Sequence, residues 1–195
     1  MITCSKIEKE KIVIHTERLF IRPLKGEDVT EAYVFGLNDP EVNRFMWVRH
    51  QKQTLRTVRD FADSKYHSSD SALLGLFLEG NDELVGTVGL SGISFYHYCL
   101  GVGICLFLKK YWGQGLGTEA LRGVKDYIFQ EMGFHYIEAG VFADNIVSQK
   151  LFVNSGFECF WKVENKYRYN DKFVDVLWYR AINPDFKLPE RGSIL

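Results

Sequence analysis

The chain has 195 residues, 46% of them hydrophobic and 15% aromatic, which is enough for one domain with a substantial core. Its net charge of −1, with Lys and Arg scattered along it, gives no electrostatic reason to expect a nucleic acid or an anionic membrane as partner. Four separated cysteines (Cys4, Cys99, Cys105, Cys159) and a charged N-terminus (Lys6 to Lys11) argue against a disulfide scaffold and a signal peptide, so a cytoplasmic protein with reduced thiols is expected.

In chain order, Ile12–Ile14 and Leu19–Ile21 read as extended segments ended by Pro23. Helical stretches follow over Glu27–Leu37, stopped by Asn38-Asp39-Pro40, and over Gln53–Tyr66, where Leu55, Val58, Phe61 and Ala62 have helical spacing. Ala72–Leu78 and Leu84–Leu90 form a hairpin around Gly80-Asn81-Asp82, and Leu100–Leu108 is a further strand. No acid or base occurs from Leu84 to Leu108, a length that can span a bilayer. Five glycines and a polar Ser94-to-Tyr98 centre instead read as two buried strands joined by a turn.

A helix is expected from Thr118 to about Met132, with Leu121, Val124 and Ile128 inward and Gly133 as its cap. Tyr136–Phe142 is a strand, Asn145–Ser155 a short helix closed by Gly156, and Phe157–Tyr167 and Phe173–Ile182 the last strands. No repeat or linker interrupts the chain. The expected fold is a single mixed α/β domain over 1–195, with a core of about 12–182 and a polar tail over 183–195. Its central sheet is mixed, mostly antiparallel, and flanked by helices.

The most informative segment is Tyr111-Trp112-Gly113-Gln114-Gly115-Leu116-Gly117-Thr118-Glu119-Ala120. Glycines allow close approach and positive φ, and the first N–H groups of the following helix point outward with the helix dipole behind them. Such a turn suits a phosphate or pyrophosphate. The Walker pattern fails for want of Gly-Lys-Ser/Thr. Gly115 to Ala120 formally matches G-x-G-x-x-A, with Glu138 downstream. That acid falls inside the next strand, however, and the remaining chain is too short for a dinucleotide fold with a substrate domain. A structural turn without a ligand is the other alternative.

The loop resembles the coenzyme A pyrophosphate loop of the GNAT (GCN5-related N-acetyltransferase) superfamily, Gln/Arg-x-x-Gly-x-Gly/Ala. Trp112 stands at the Gln/Arg position, and Gly115 and Gly117 at the glycine positions. Thr16-Glu17-Arg18-Leu19 with Arg22-Pro23-Leu24, Leu84-Val85-Gly86, and Asn145-x-x-Ser148-x-x-Leu151-Phe152 with Gly156-Phe157 are similar to the ribosomal-protein N-terminal and amino-sugar branch.

The resemblance implies acetyl transfer from acetyl-CoA to an amine, with no metal, in a monomer or homodimer. By resemblance the cofactor lies along Leu106, Phe107 and Leu108, over Trp112, Gly113, Gln114, Gly115, Leu116, Gly117 and Thr118, and against Asn145 and Phe152. Asn145 also reads as a helix cap. Where many members carry a tyrosine that protonates the departing thiolate, this chain has Phe152. Ser148 on the same helix face is the substitute acid, or a small residue that lets the cofactor pass. A thiol with a pKa of about 8.5 leaves tolerably without a strong acid.

Relatives often hold a Glu where this chain has Gly101, so Glu138 is the candidate base, with His97 or an ordered water as alternatives. Aromatics expected near the acceptor site are Phe45, Trp47, Trp161, Tyr167, Tyr169 and Trp178. The acceptors implied, in order, are a small amine such as a nucleotide-linked amino sugar, a protein N-terminus, and an aminoglycoside or polyamine. A non-catalytic acyl-CoA-binding module is the rival from another class.

Overall fold

A computed structural model describes residues 7–189; Cys4, Lys6 and the end of the polar tail lie outside them. Eight strands are present: β1 (Ile14–His15), β2 (Leu19–Pro23), β3 (Ala72–Leu78), β4 (Leu84–Ser94), β5 (Cys99–Leu106), β6 (Tyr136–Phe142), β7 (Glu158–Tyr169) and β8 (Lys172–Ile182). The helices are α1 (Glu31–Asn38), α2 (Leu55–His67), α3 (Leu116–Gln130) and α4 (Ile146–Asn154). The strands form one sheet in the order β1-β2-β3-β4-β5-β6-β8-β7. Every neighbouring pair is antiparallel except β5 with β6. None of the described helices is long and apolar enough to cross a membrane.

Both faces of the sheet are packed, which is why β3 reads Ala-Leu-Leu-Gly-Leu-Phe-Leu without alternation. On one face, Leu116, Leu121, Val124 and Ile128 of α3 and Phe152 of α4 pack on Leu74, Val88, Leu100, Val102, Ile137 and Val141. On the other, Tyr33, Val34 and Leu37 of α1 and Val58 and Ala62 of α2 cover Leu73, Phe77, Leu84 and Phe107. Each of these stripes follows helical spacing on one side and strand alternation on the other.

Several boundaries differ from the sequence reading: β4 runs on to Ser94 rather than Leu90, and β5 ends at Leu106 rather than Leu108. Glu27–Leu37 is a 3-10 turn at Gly26–Asp28 followed by α1, because the Thr30 side chain accepts from Tyr33 N and starts a new helix. Helix α3 begins at Leu116 rather than Thr118: Gly115, at φ 81°, turns the chain so that Leu116 is buried, and Gly117 falls inside the first turn. The helix ends at Gln130, and Gly133 at φ 66° lies in the turn beyond it.

Helix α1 approaches the end of β5 at Gly36. A Cβ there would lie 2.7 Å from both Cβ and the carbonyl oxygen of Phe107, whose ring stacks on Tyr33 at 4.3 Å. Gly36→Ala should therefore push α1 outward and destabilise the fold by about 1–3 kcal/mol. Urea unfolding monitored by circular dichroism measures it, and an unchanged midpoint would refute so close a contact.

Candidate active site

The parallel ladder between β5 and β6 pairs Cys99 with Tyr136, Leu100 with Ile137 and Gly101 with Glu138, then ends. Strand β5 runs on to Leu106 beside β4, while β6 runs on to Phe142 beside β8. A wedge therefore opens in the middle of the sheet. Phe107 N donates to Val85 O at 3.2 Å, which fixes the alternation along β5. Cys105 and Gly103 bond towards β4, and Ile104 and Leu106 turn their main-chain groups into the wedge.

Of the three residues expected to line the cofactor, only Leu106 presents its backbone there. Phe107 has its N–H on Val85 and its ring in the core, and Leu108 O accepts from Tyr111 N. Ile104, not singled out from the sequence, is the second edge residue. Strand register, which the sequence does not carry, decides this.

The Trp112 indole donates to Leu106 O at 2.8 Å, so the residue at the Gln/Arg position closes the end of the open edge. Beyond it, Gly113 and Gly115 have φ of 72° and 81°. Gln114 Nε2 returns to Lys110 O at 2.6 Å. None of the main-chain N–H groups from Gly113 to Thr118 has an acceptor among the described residues; the first helical bond is Glu119 N to Gly115 O. These donors gather at the start of a 15-residue helix, where its dipole adds positive potential.

Gly117 lies where the parts converge. A Cβ there would be 2.7 Å from Leu151 Cδ1 of α4, 3.5 Å from Leu106 Cδ1 and 3.9 Å from Ile104 Cδ1. The packing of α3 on α4 thus itself calls for glycine, and it sets the donor loop directly beside the open edge of β5.

Arg18 holds this loop from the β1–β2 turn. Its Nη1 donates to Gln114 O at 3.0 Å, while its Nε and main-chain N donate to the Glu119 carboxylate at 2.7 Å each. Thr16 Oγ1 donates to the same carboxylate at 2.6 Å. Burial alone would raise the Glu119 carboxyl, but these hydrogen bonds and the Arg18 charge outweigh it and hold it below the usual range. The Thr-Glu-Arg-Leu segment matched the family opening in sequence; its contact with the loop needed the fold.

On α4, Asn145 is the N-cap: its Oδ1 accepts from Ser148 N at 3.2 Å, while its Nδ2 has no acceptor among the described residues. Ser148 is half-buried, with Oγ in no hydrogen bond among those residues. Phe152 is buried, edge-on to Phe157 and stacked on Tyr179 at 5.7 Å. Tyr179, a strand residue with no sequence signal, is thus the hydroxyl-bearing ring behind Phe152.

Glu138 lies on the opposite sheet face, next to Gly101 and opposite Arg180 in the β8 register. It lines a groove of about 380 Å³ with Ser91, Cys99, Gly101, Tyr136 and Trp178. Burial, and then the Glu138 charge, push the Cys99 thiol and the Tyr136 phenol up. His97 is exposed in the turn before β5, stacked edge-on against Tyr96 and outside that lining.

The expected acceptor aromatics separate. Phe45 lies 5.8 Å from Phe142 and 5.8 Å from Tyr169, and Tyr167 is 5.8 Å from Phe142. Trp178 flanks Gly140, with indole atoms 3.6 Å from the Cβ that residue lacks. Trp47 and Trp161 are exposed, and Trp161 lies opposite Trp178 in the β7–β8 register.

Residues 18–158 match the family model for the acetyltransferase (GNAT) domain. The chain belongs to the GNAT acetyltransferase family. It is 32% identical over 187 residues to the probable N-acetyltransferase YjcK of Bacillus subtilis, covering 86% of this chain and 95% of that protein. A GNAT-family acetyltransferase structure from Bacillus anthracis superimposes with a TM-score of 0.77 at 22% identity, covering 88% of this chain and 99% of that one. RimL, a ribosomal alpha-N-protein acetyltransferase solved with coenzyme A, also gives 0.77, at 15% identity and 88% and 98% coverage. As a GNAT member, this chain is an acetyl-CoA-dependent acyltransferase.

The Glu119 cluster makes a pH prediction. Its carboxyl is lower in the folded chain than in the unfolded one, so its contribution is complete above the usual pKa of about 4.3 and is lost as pH falls through the lower folded value. Glu119→Gln should cost about 1.5–3 kcal/mol at neutral pH, and the gap to the wild type should narrow below about pH 4.3. Denaturant unfolding from pH 7 to 3 measures it; a gap of constant size would show that the charge contributes nothing.

Proposed function

We propose that this enzyme transfers acetyl to the primary amine of a small molecule, a nucleotide-linked amino sugar being the first candidate. The carrying observation is the wedge with unpaired β5 edge groups beside a run of unpaired N–H donors. It offers an extended amide-bearing arm a strand edge and offers a pyrophosphate a cradle.

Acetyl-CoA, when bound, supplies the thioester. In this reading Leu106 N–H, nearest the loop, pairs with the pantetheine arm, and Asn145 Nδ2 donates to the same arm. Ile104 N–H, two residues deeper in the wedge and nearer Gly101, is suited to a thioester oxygen as negative charge grows on it. Gly113 to Thr118 hold the pyrophosphate through main-chain N–H groups, and the Arg18 charge stands beside them.

An alkylamine with a pKa near 10.4 must lose a proton before it attacks. Glu138 is the base in this reading, because its parallel-strand position neighbours Gly101, where no side chain competes for the groove. Ser148 Oγ is the donor to the leaving sulfur, since Phe152 has no proton to give and its ring is locked between Phe157 and Tyr179.

Acetyl-CoA at a hundred times its dissociation constant should stabilise the fold by about 2.7 kcal/mol, a shift of roughly 5–10 °C in Tm. Gly115→Val, which forces a branched residue to positive φ inside the cradle, should abolish the shift while the unliganded protein still unfolds cooperatively. No shift for the wild type at millimolar acetyl-CoA would overturn the cofactor site.

Glu138→Gln should lower kcat for an amino-sugar acceptor by on the order of 10²-fold with the acetyl-CoA shift intact, and Ser148→Ala should lower it less. Thiol release reads both rates, and an unaltered kcat in Glu138→Gln would remove it from the mechanism.

A further inference from the structure

A second groove, of about 770 Å³, lies between the segment 38–52 and the β7–β8 turn, and is lined by Arg44, Arg49, His50, Lys52, Tyr169 and Asn170 among others. No Asp or Glu lines it. Between it and the wedge stands Phe45, whose ring lies 5.8 Å from Phe142 at the C-terminal end of β6 and 5.8 Å from Tyr169 at the end of β7. Its size suits a small ligand of nucleotide dimensions.

The charges here are left over rather than balanced. The acids of the segment, Asp39 and Glu41, are drawn away by Lys109, at 2.7 and 3.0 Å. None of Arg44, Arg49 and Lys52 forms an ion pair among the described residues; Lys172, opposite Tyr169 in the β7–β8 register, by contrast lies 3.5 Å from Asp144. Arg49 is held with its guanidinium over the Tyr169 ring at 4.7 Å. Its Nη1 reaches only the Arg44 and Met46 carbonyls, at 3.5 and 3.4 Å, and its buried Nε has no acceptor. A guanidinium whose face rests on an aromatic ring and whose edge lacks an oxyanion is pre-set for one.

We propose that this groove selects an acceptor carrying a phosphate or diphosphate group, held by Arg49 with Arg44 and Lys52, so that the amine reaches the wedge past Phe45 and Phe142. The inference rests on the acetyltransferase reading and specifies the chemistry of its acceptor. A polycationic amine meets like charge here. An aminated sugar attached to a nucleoside diphosphate meets three cations.

The test is calorimetric titration of the acetyl-CoA-saturated protein, so that the pyrophosphate cradle is filled, with UDP, spermidine and the peptide Ser-Glu-Asp-Glu as probes. UDP should bind one per chain, more tightly than the other two, and weaken with rising salt. Arg49→Gln should weaken UDP at least tenfold with the acetyl-CoA titration unchanged. Lys52→Gln, at an exposed position, should weaken it severalfold and serves if Arg49→Gln does not fold.

No UDP binding at millimolar concentration, or an affinity untouched by both substitutions, overturns the proposal, as does tighter binding of spermidine. Tighter binding of the acidic peptide overturns the small-molecule acceptor in favour of a protein N-terminus. Failure of the cofactor reading appears separately, in the initial acetyl-CoA titration.

Discussion

Strands β5 and β6 stay paired for three residues and then part, and the placing of the glycine loop beside an open strand edge depends on that parting. A sheet strand in the interior normally has both edges hydrogen-bonded, since an unpaired buried backbone group costs free energy. Here the strands are pulled to different partners. The end of β5 is drawn to α1, where Phe107 stacks on Tyr33 and Gly36 lets the helix close on it. The end of β6 stays in register with β8 as far as Phe142 and meets Phe45. The separation follows from two apolar anchorages, and between them the edge of β5 is left open.

That edge needs a neighbour to become a site, and Gly117 supplies the adjacency. Because it has no side chain, α3, α4 and β5 meet at one point, so the donor loop, the capped start of α4 and the open strand edge face the same space. Trp112 then limits the edge by taking the Leu106 carbonyl. The residue at the Gln/Arg position contributes through a neutral indole bond to the strand, and the cation at the loop comes from Arg18, almost a hundred positions earlier in the chain.

The periodicities of α2, α3 and the β3–β4 hairpin were legible because each buries one stripe or both faces against a layer. The glycine loop was legible because positive φ and an anion-binding helix start call for residue types that stand out in a sequence. Three things were hidden. Register alone decides that Ile104 rather than Phe107 shares the edge with Leu106. The start of α3 at Leu116 follows from that residue's burial, while the loop glycines suggested a later start. Arg18 reaches Gln114 and Glu119 only once the β1–β2 turn is folded beside α3, and no local pattern announces such a contact.

The phenylalanine at position 152 is best understood from its surroundings. Phe152 is 3% exposed between Phe157 and Tyr179, so the ring acts as core that fixes α4 over the sheet. A hydroxyl at that position would need a buried partner, because an unsatisfied one costs about 1–3 kcal/mol. A thiolate of pKa about 8.5 is a tolerable leaving group near neutral pH, whereas an ammonium of pKa near 10.4 is no nucleophile until it is deprotonated. The larger chemical demand therefore falls on the amine. Glu138 stands in the groove beside Gly101, and Arg44, Arg49 and Lys52, without ion pairs among the described residues, line the second groove.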